Sequence, residues 1–153
     1  MNKKNKIYKV ALTVCILLVA KLGLAQTFTN PLLPSGADPW SIYKDGYYYY
    51  THSMQNKLVI WKTNNLADLK TAEKKTIFIP PPNTAYTQAL WAPEIHFIAG
   101  KWYVYFAADD GNNNNHRMYV LENSSKDPLK GEWIFKGKVK SVEMLNKNIP
   151  DAD

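Results

Sequence analysis

Two stretches of this chain repeat each other at a fixed spacing, and this repeat restricts the available folds more than any other feature of the sequence. Residues 39–49 (PWSIYKDGYYY) align without a gap with residues 93–103 (PEIHFIAGKWY), 54 positions later. After each copy comes a second apolar segment, first Val59–Lys62 and then Met118–Leu121. Each repeat therefore holds about four strands in roughly 55 residues, which is the size of one β-propeller blade.

The local patterns inside each repeat are typical of β-strands. Tyr47–Thr51 and Trp102–Phe106 are aromatic and β-branched runs that follow a glycine turn. Alternate residues of the second run form two faces, and both faces are apolar. This pattern predicts a strand covered on both sides, as in a sheet stacked between two other sheets.

The repeat predicts an all-β fold and, specifically, a β-propeller. The alternative is a sandwich in which two hairpins match by chance. A propeller needs at least four blades to close its ring, and two blades alone would expose broad apolar faces and strand edges. A third repeat would begin near residue 150. We therefore expect residues 26–153 to be blades one and two, the N-terminal part of a longer propeller.

The positive charge of the chain is concentrated at its N-terminus. The formal net charge is +6, but residues 1–25 carry five lysines and no acidic side chain. Residues 26–153 keep 14 basic against 13 acidic side chains, a net charge of +1. Without a basic surplus, this part of the chain is not expected to bind nucleic acid.

Residues 1–25 have the pattern of a secretory signal peptide. Lysines precede the apolar run Val10–Ala20, and Gly23 and Ala25 supply small residues before a cleavage site. The run is too short to span a bilayer comfortably, so we expect a secreted or periplasmic protein without stable membrane insertion. The alternative is a retained N-terminal anchor. The only cysteine, Cys15, lies in the run, so the mature chain would have no disulfide and no thiol nucleophile.

Asp38 is the first candidate site residue. It precedes the first strand of repeat one, and the first strand of a propeller blade lines the central channel. Pro39 predicts an extended backbone at Asp38, which would fix the direction of its carboxylate. The alternative is an Asx turn that caps the strand. Trp40 places an aromatic ring nearby.

Trp91 lies at the equivalent place in repeat two and is expected to face the same channel as Trp40. Sugars bind with their C–H faces on aromatic rings, so these two tryptophans could form a sugar platform. Glu94 could contact a ligand or satisfy backbone groups between blades, and His52 could contact a ligand or be a structural histidine. The spacing of acidic and histidine residues specifies no metal site, and residues 109–115 are predicted to form a hairpin turn.

Three motifs together resemble glycoside hydrolase family 43: residues 30–40 (NPLLPSGADPW), Trp91–Glu94 (WAPE) and Lys101–Phe106 (KWYVYF). The resemblance spans residues 28–153. It implies a five-bladed β-propeller that acts on arabinose- and xylose-containing polysaccharides such as arabinan and arabinoxylan. Residues 106–132 resemble the arabinofuranosidases of the family, including exo-acting enzymes on α-1,5-arabinan. A β-xylosidase of the same family, a non-catalytic carbohydrate-binding propeller and a structural scaffold are the alternatives.

The resemblance also implies an inverting mechanism with three acidic residues. Asp38 matches the general base, an aspartate of blade three raises the pKa of the acid, and a glutamate of blade four is the general acid. Inverting hydrolysis holds its water between two carboxylates about 6.5–9.5 Å apart. Neither Asp151 nor Asp153 is assigned to the blade-three position, so residues 26–153 alone are expected to be inactive.

The remaining expectations concern ligands. Trp40, His52, Trp91 and Glu94 are the predicted substrate-binding residues. No cofactor is expected within this part of the domain. The resemblance allows a channel cation such as calcium in the complete domain, with ligands mainly from other blades.

Overall fold

The computed structural model describes residues 29–140, which form two four-stranded antiparallel sheets. The first sheet has the order β1 (Trp40–Lys44), β2 (Tyr47–Thr51), β3 (Leu58–Thr63) and β4 (Glu73–Phe78). The second has the order β5 (Gln88–Ile98), β6 (Lys101–Asp109), β7 (Arg117–Asn123) and β8 (Ile134–Lys138). Short 3₁₀ helices follow β3 and β6, at Leu66–Thr71 and Asn113–Asn115. The predicted signal peptide lies outside the described residues. Within residues 29–140, no helix is long and apolar enough to cross a membrane.

The two sheets repeat the same backbone, as the sequence predicts. Each begins with a hairpin whose two-residue turn has positive φ at both positions. These angles are 52° and 85° at Asp45 and Gly46, and 49° and 82° at Ala99 and Gly100. Two positive φ angles give the turn the twist that joins neighbouring antiparallel strands. The prediction of four strands in each repeat is confirmed.

The main apolar core lies between the two sheets. One face of β6 has no exposed surface, and it consists of Trp102, Val104 and Phe106. The ring of Tyr49, on β2, lies 4.7 Å from that of Trp102, measured between centroids. Tyr103 and Tyr105 on the opposite face are half-buried. The described residues therefore cover β6 completely on one side only, although the sequence predicts cover on both.

A smaller apolar cluster holds the N-terminal segment against the other face of the first sheet. Its buried members are Val59 and Trp61 on β3 and Leu69 in the following helix. Leu32 and Leu33 pack against it. Burial of these two leucines fixes the segment that leads into β1 and therefore fixes the position of Asp38.

An ion pair joins the two sheets. The Nζ of Lys62, on β3, lies 2.6 Å from Oδ2 of Asp127, in the loop between β7 and β8. Burial alone would raise the pKa of Asp127, but hydrogen bonds from Lys62 and from the Leu129 N–H, together with nearby positive charge, outweigh burial and lower that pKa. Burial alone would lower the pKa of Lys62, but the hydrogen bond to Asp127 and the attraction of neighbouring acidic groups together outweigh burial and raise that pKa.

Replacing Asp127 by asparagine is expected to lower the free energy of unfolding by about 1 kcal/mol at pH 7. A carboxyl with a lowered folded-state pKa stabilises the fold above its unfolded-state pKa, and this contribution is lost as the pH falls through the folded-state pKa. The difference between wild type and variant should therefore shrink towards pH 3. Urea denaturation at both pH values measures it, with Asp45→Asn, in an exposed pair with Lys44, as the control. An equal difference at both pH values would contradict the assignment.

Candidate active site

Asp38 lies two residues before β1 and is exposed. Its φ angle is 51°, so the prediction of an extended backbone at this residue is wrong. Two hydrogen bonds from Ser53 explain the difference. The Ser53 N–H donates to the carbonyl of Ala37 at 2.9 Å, and its hydroxyl donates to Oδ2 of Asp38 at 2.7 Å. Aspartate adopts the left-handed region more readily than most residues, so the two bonds can hold it there.

Ser53 also connects Asp38 to the second sheet. The N–H of Ala92, on β5, donates to Oγ of Ser53 at 2.8 Å. The Ser53 hydroxyl therefore accepts a hydrogen bond from the second sheet and donates its single proton to the Asp38 carboxylate at the start of the first sheet. Ser53 is buried, whereas Asp38 and Ala92, its two partners, are exposed. Oδ1 of Asp38 has no hydrogen-bond partner within residues 29–140, so it is available to a water molecule.

Two bulges in β5 bring the second sheet to this point. Glu94 and Trp91 of β5 pair with Tyr105 and Ala107 of β6, so three residue steps in β5 match two in β6. The same offset recurs between Trp91 and Gln88, which pairs with Asp109. Each bulge contains an alanine with positive φ: 43° at Ala92 and 51° at Ala89. Bulges redirect backbone and side chains and are common beside active sites. Here they accompany the bond from the Ala92 N–H to Ser53 and a bridge between the backbones of Leu90 and Gln55.

Trp40 and Trp91 each bridge the two sheets at the end where Asp38 lies. The indole N–H of Trp40, on β1, donates to the carbonyl of Ile95 on β5 at 3.0 Å. The indole N–H of Trp91, on β5, donates to Oε1 of Gln55 after β2, also at 3.0 Å. The two residues remain 37% and 38% exposed. Because both N–H groups are bonded within the protein, the exposed surface is mainly apolar ring, the surface that stacks on sugars.

The other two predicted substrate-binding residues are placed differently. Oε2 of Glu94 lies 3.2 Å from Nε2 of His96, whose ring lies 5.3 Å from that of Trp40. Glu94 thus supports the surroundings of Trp40 and is also partly exposed. His52 is 1% exposed and stacks on Trp61 at 4.8 Å, and burial lowers its pKa. Because other residues cover His52, it would influence a bound sugar only through those residues.

Sequence reasoning missed Ser53, Gln55, His116 and Asp109. Ser53 could have been found, because the turn at residues 45 and 46 pairs Trp40 with Thr51, and the same register continued outwards sets Asp38 opposite Ser53. Gln55 and His116 lie in loops, and Asp109 is the last residue of β6. No periodicity in the sequence indicates where those side chains point.

The loop after β6 is held by its own polar side chains. Asp109, Asp110 and Asn112 each accept a hydrogen bond from the backbone N–H two residues further on. These are Asx turns. Because the loop joins β6 to its antiparallel neighbour β7, the prediction of a hairpin turn is confirmed. Within residues 29–140, no three acidic, histidine or cysteine side chains lie close enough together to hold a metal ion.

The observed fold is that of an all-β protein built from repeated four-stranded antiparallel sheets. Residues 28–153 match the sequence pattern of the glycosyl hydrolases family 43. The chain belongs to this family, and the resemblance seen in its motifs is confirmed.

Two similar curated proteins come from Streptomyces. The extracellular exo-α-(1→5)-L-arabinofuranosidase of Streptomyces avermitilis is 45% identical over 120 residues, which is 74% of this chain and 24% of the relative. The enzyme of the same name from Streptomyces chartreusis is 40% identical over 75% of this chain and 36% of its own length. The chain thus spans about a quarter to a third of these relatives.

Solved structures agree with this assignment. The α-L-arabinofuranosidase from Lactobacillus brevis has a TM-score of 0.67 at 36% identity, covering 75% of this chain and 39% of that enzyme. The arabinanase of Cellvibrio cellulosa complexed with arabinohexaose has a TM-score of 0.51 at 20% identity, over 70% of this chain and 36% of the arabinanase. The second comparison shows a likeness of fold.

Proposed function

We propose that this chain is part of an exported α-L-arabinofuranosidase that hydrolyses arabinan or arabinoxylan with inversion, and that Asp38 is its general base. The proposal depends chiefly on the geometry of the Asp38 carboxylate. One oxygen is held by the buried Ser53 hydroxyl, and the other is free of hydrogen bonds within the described residues. Two Streptomyces relatives named arabinofuranosidases support the substrate class. Their description as extracellular, together with the leader pattern in residues 1–25, supports export.

The proposed reaction is a single displacement at the anomeric carbon. Asp38, through Oδ1, takes a proton from a water molecule as the oxygen of that water attacks the carbon. The bond to the leaving oxygen breaks on the opposite face of the sugar, and that oxygen receives a proton from a carboxylic acid. We assign this acid to a blade outside the present chain. Trp40 and Trp91 would hold the C–H face of the sugar ring.

The proposed architecture is a five-bladed propeller in which the two sheets are blades one and two. Their apolar faces pack against each other, as neighbouring blades do. The chain covers 39% of the Lactobacillus brevis enzyme, a share close to two blades in five. In such a ring, acids from different blades face each other across the channel.

The configuration of the first product tests the mechanism in the complete domain. With 4-nitrophenyl α-L-arabinofuranoside, proton NMR at early times should show the β-anomer of arabinose before mutarotation, because attack opposite the leaving group inverts the centre. Early α-anomer would contradict inversion.

Faster turnover of 4-nitrophenyl β-D-xyloside would instead indicate a β-xylosidase. Binding of arabino-oligosaccharides without turnover would indicate a carbohydrate-binding propeller.

A further inference from the structure

Trp91 pairs with Ala107 of β6, and two side chains contact its indole ring. It lies between Ala89 and Ala92, the two residues at which β5 bulges away from regular pairing with β6. On one side Gln55 accepts the hydrogen bond from its indole N–H. On the other side its ring stacks on the imidazole of His116, with centroids 4.5 Å apart and planes inclined by 27°. The direction of this ring therefore depends on these two neighbours.

His116 is in turn held by a buried carboxylate. Its Nδ1 lies 2.9 Å from Oδ2 of Asp109, the last residue of β6. Because a carboxylate only accepts hydrogen bonds, Nδ1 carries the proton of this contact. Oδ1 of Asp109 accepts from the N–H of Gly111 at 2.8 Å. Asp109 is 3% exposed, so it is a rigid anchor that fixes the plane of the imidazole.

We propose that Asp109 and His116 are positioning residues that set the orientation of Trp91 and thereby increase the affinity with which Trp91 binds the sugar ring. This inference rests on the proposed function. His116 occupies one face of the indole, which leaves the opposite face and the exposed edge for substrate. A ring already fixed in the free protein loses little conformational freedom when the sugar binds, and this favours affinity.

Two substitutions of His116 separate its hydrogen bond from its ring. His116→Asn keeps an amide N–H near the position of Nδ1, so Asp109 retains a donor, but it removes the ring that stacks on Trp91. His116→Phe keeps a flat ring and removes the donor. In the complete enzyme, we expect His116→Asn to raise KM for 4-nitrophenyl α-L-arabinofuranoside about 2- to 12-fold. kcat should stay within about twofold of wild type, because Trp91 is expected to contact the sugar equally well in the ground state and in the transition state. His116→Phe should restore part of the lost affinity.

Tryptophan fluorescence provides a readout that does not need activity. Removing an imidazole stacked on an indole should change the emission of the folded protein, and this change should vanish when Trp91 is already phenylalanine. The same emission change in the Trp91→Phe background would overturn the contact. A changed emission with an unchanged KM would overturn the role in sugar binding. If wild-type protein neither binds nor hydrolyses arabinofuranosides, the proposed function fails, and the emission still decides whether His116 positions Trp91.

Discussion

Replacing Asp38 by asparagine in the complete enzyme is expected to lower kcat for an arabinofuranoside by about 10²–10⁴-fold. The amide of asparagine cannot take the proton of the attacking water. Binding of an arabino-oligosaccharide, measured by calorimetry, should stay close to wild type, because Trp40 and Trp91 are unchanged. The fold should also persist, since asparagine tolerates the positive φ of 51° at this position and its carbonyl oxygen can accept the Ser53 hydrogen bond.

Asp45→Asn is the matched control for this substitution. Asp45 is also an aspartate with positive φ, 52°, but it lies in the exposed turn at the other end of β1. Its replacement should leave kcat and KM unchanged. A near-wild-type rate for Asp38→Asn would remove Asp38 from the role of base. An equal loss in both variants would point to a defect of the fold.

The second large effect is expected from Ser53→Ala, which should lower kcat about 10- to 150-fold. The range corresponds to the loss of one charge-assisted hydrogen bond, about 1.5–3 kcal/mol. Without the hydroxyl, the carboxylate of Asp38 loses its anchor, and the N–H of Ala92 loses its acceptor. Steady-state kinetics should show the loss in kcat more than in KM, because Ser53 acts on the base and does not contact the sugar platform.

Threonine at the same position provides the rescue variant. Ser53→Thr restores a hydroxyl that can accept from Ala92 and donate to Asp38, and it should recover most of kcat. Thermal unfolding of both variants, followed by circular dichroism, shows how much of any loss comes from stability. The positioning role would be refuted if alanine left kcat within twofold of wild type, or if threonine were as slow as alanine.

Much of the fold could be predicted because its signals are local. The turn at Asp45 and Gly46 needs positive φ, and the aromatic run after it alternates with period two. The same pattern recurs 54 residues later. Together these features indicate both hairpins and the number of strands in each repeat. Asp38 and Trp91 were predicted as site residues for a related reason, because the motifs that contain them occupy corresponding places in the two repeats, and their roles stay predictions.

The details of the site were not predicted because they depend on side-chain hydrogen bonds, bulges and loop conformations that leave no periodic pattern in the sequence. A proline after Asp38 favours an extended backbone, but two hydrogen bonds from Ser53 hold that residue at positive φ. The bulges at Ala89 and Ala92 carry no glycine that would mark them in the sequence. His116 reaches Trp91 only through the geometry of a polar loop, and many sequences of similar composition would place it elsewhere.

Hydrogen bonds run from Ala92 through Ser53 to Asp38, so the position of the proposed general base depends on the interface between the two repeats. A chimaera that exchanges one repeat with that of another family member would therefore separate partners that normally belong together. Recombination at this interface must transfer the serine and the kinked backbone opposite it as one unit, even though 39 positions separate them along the chain.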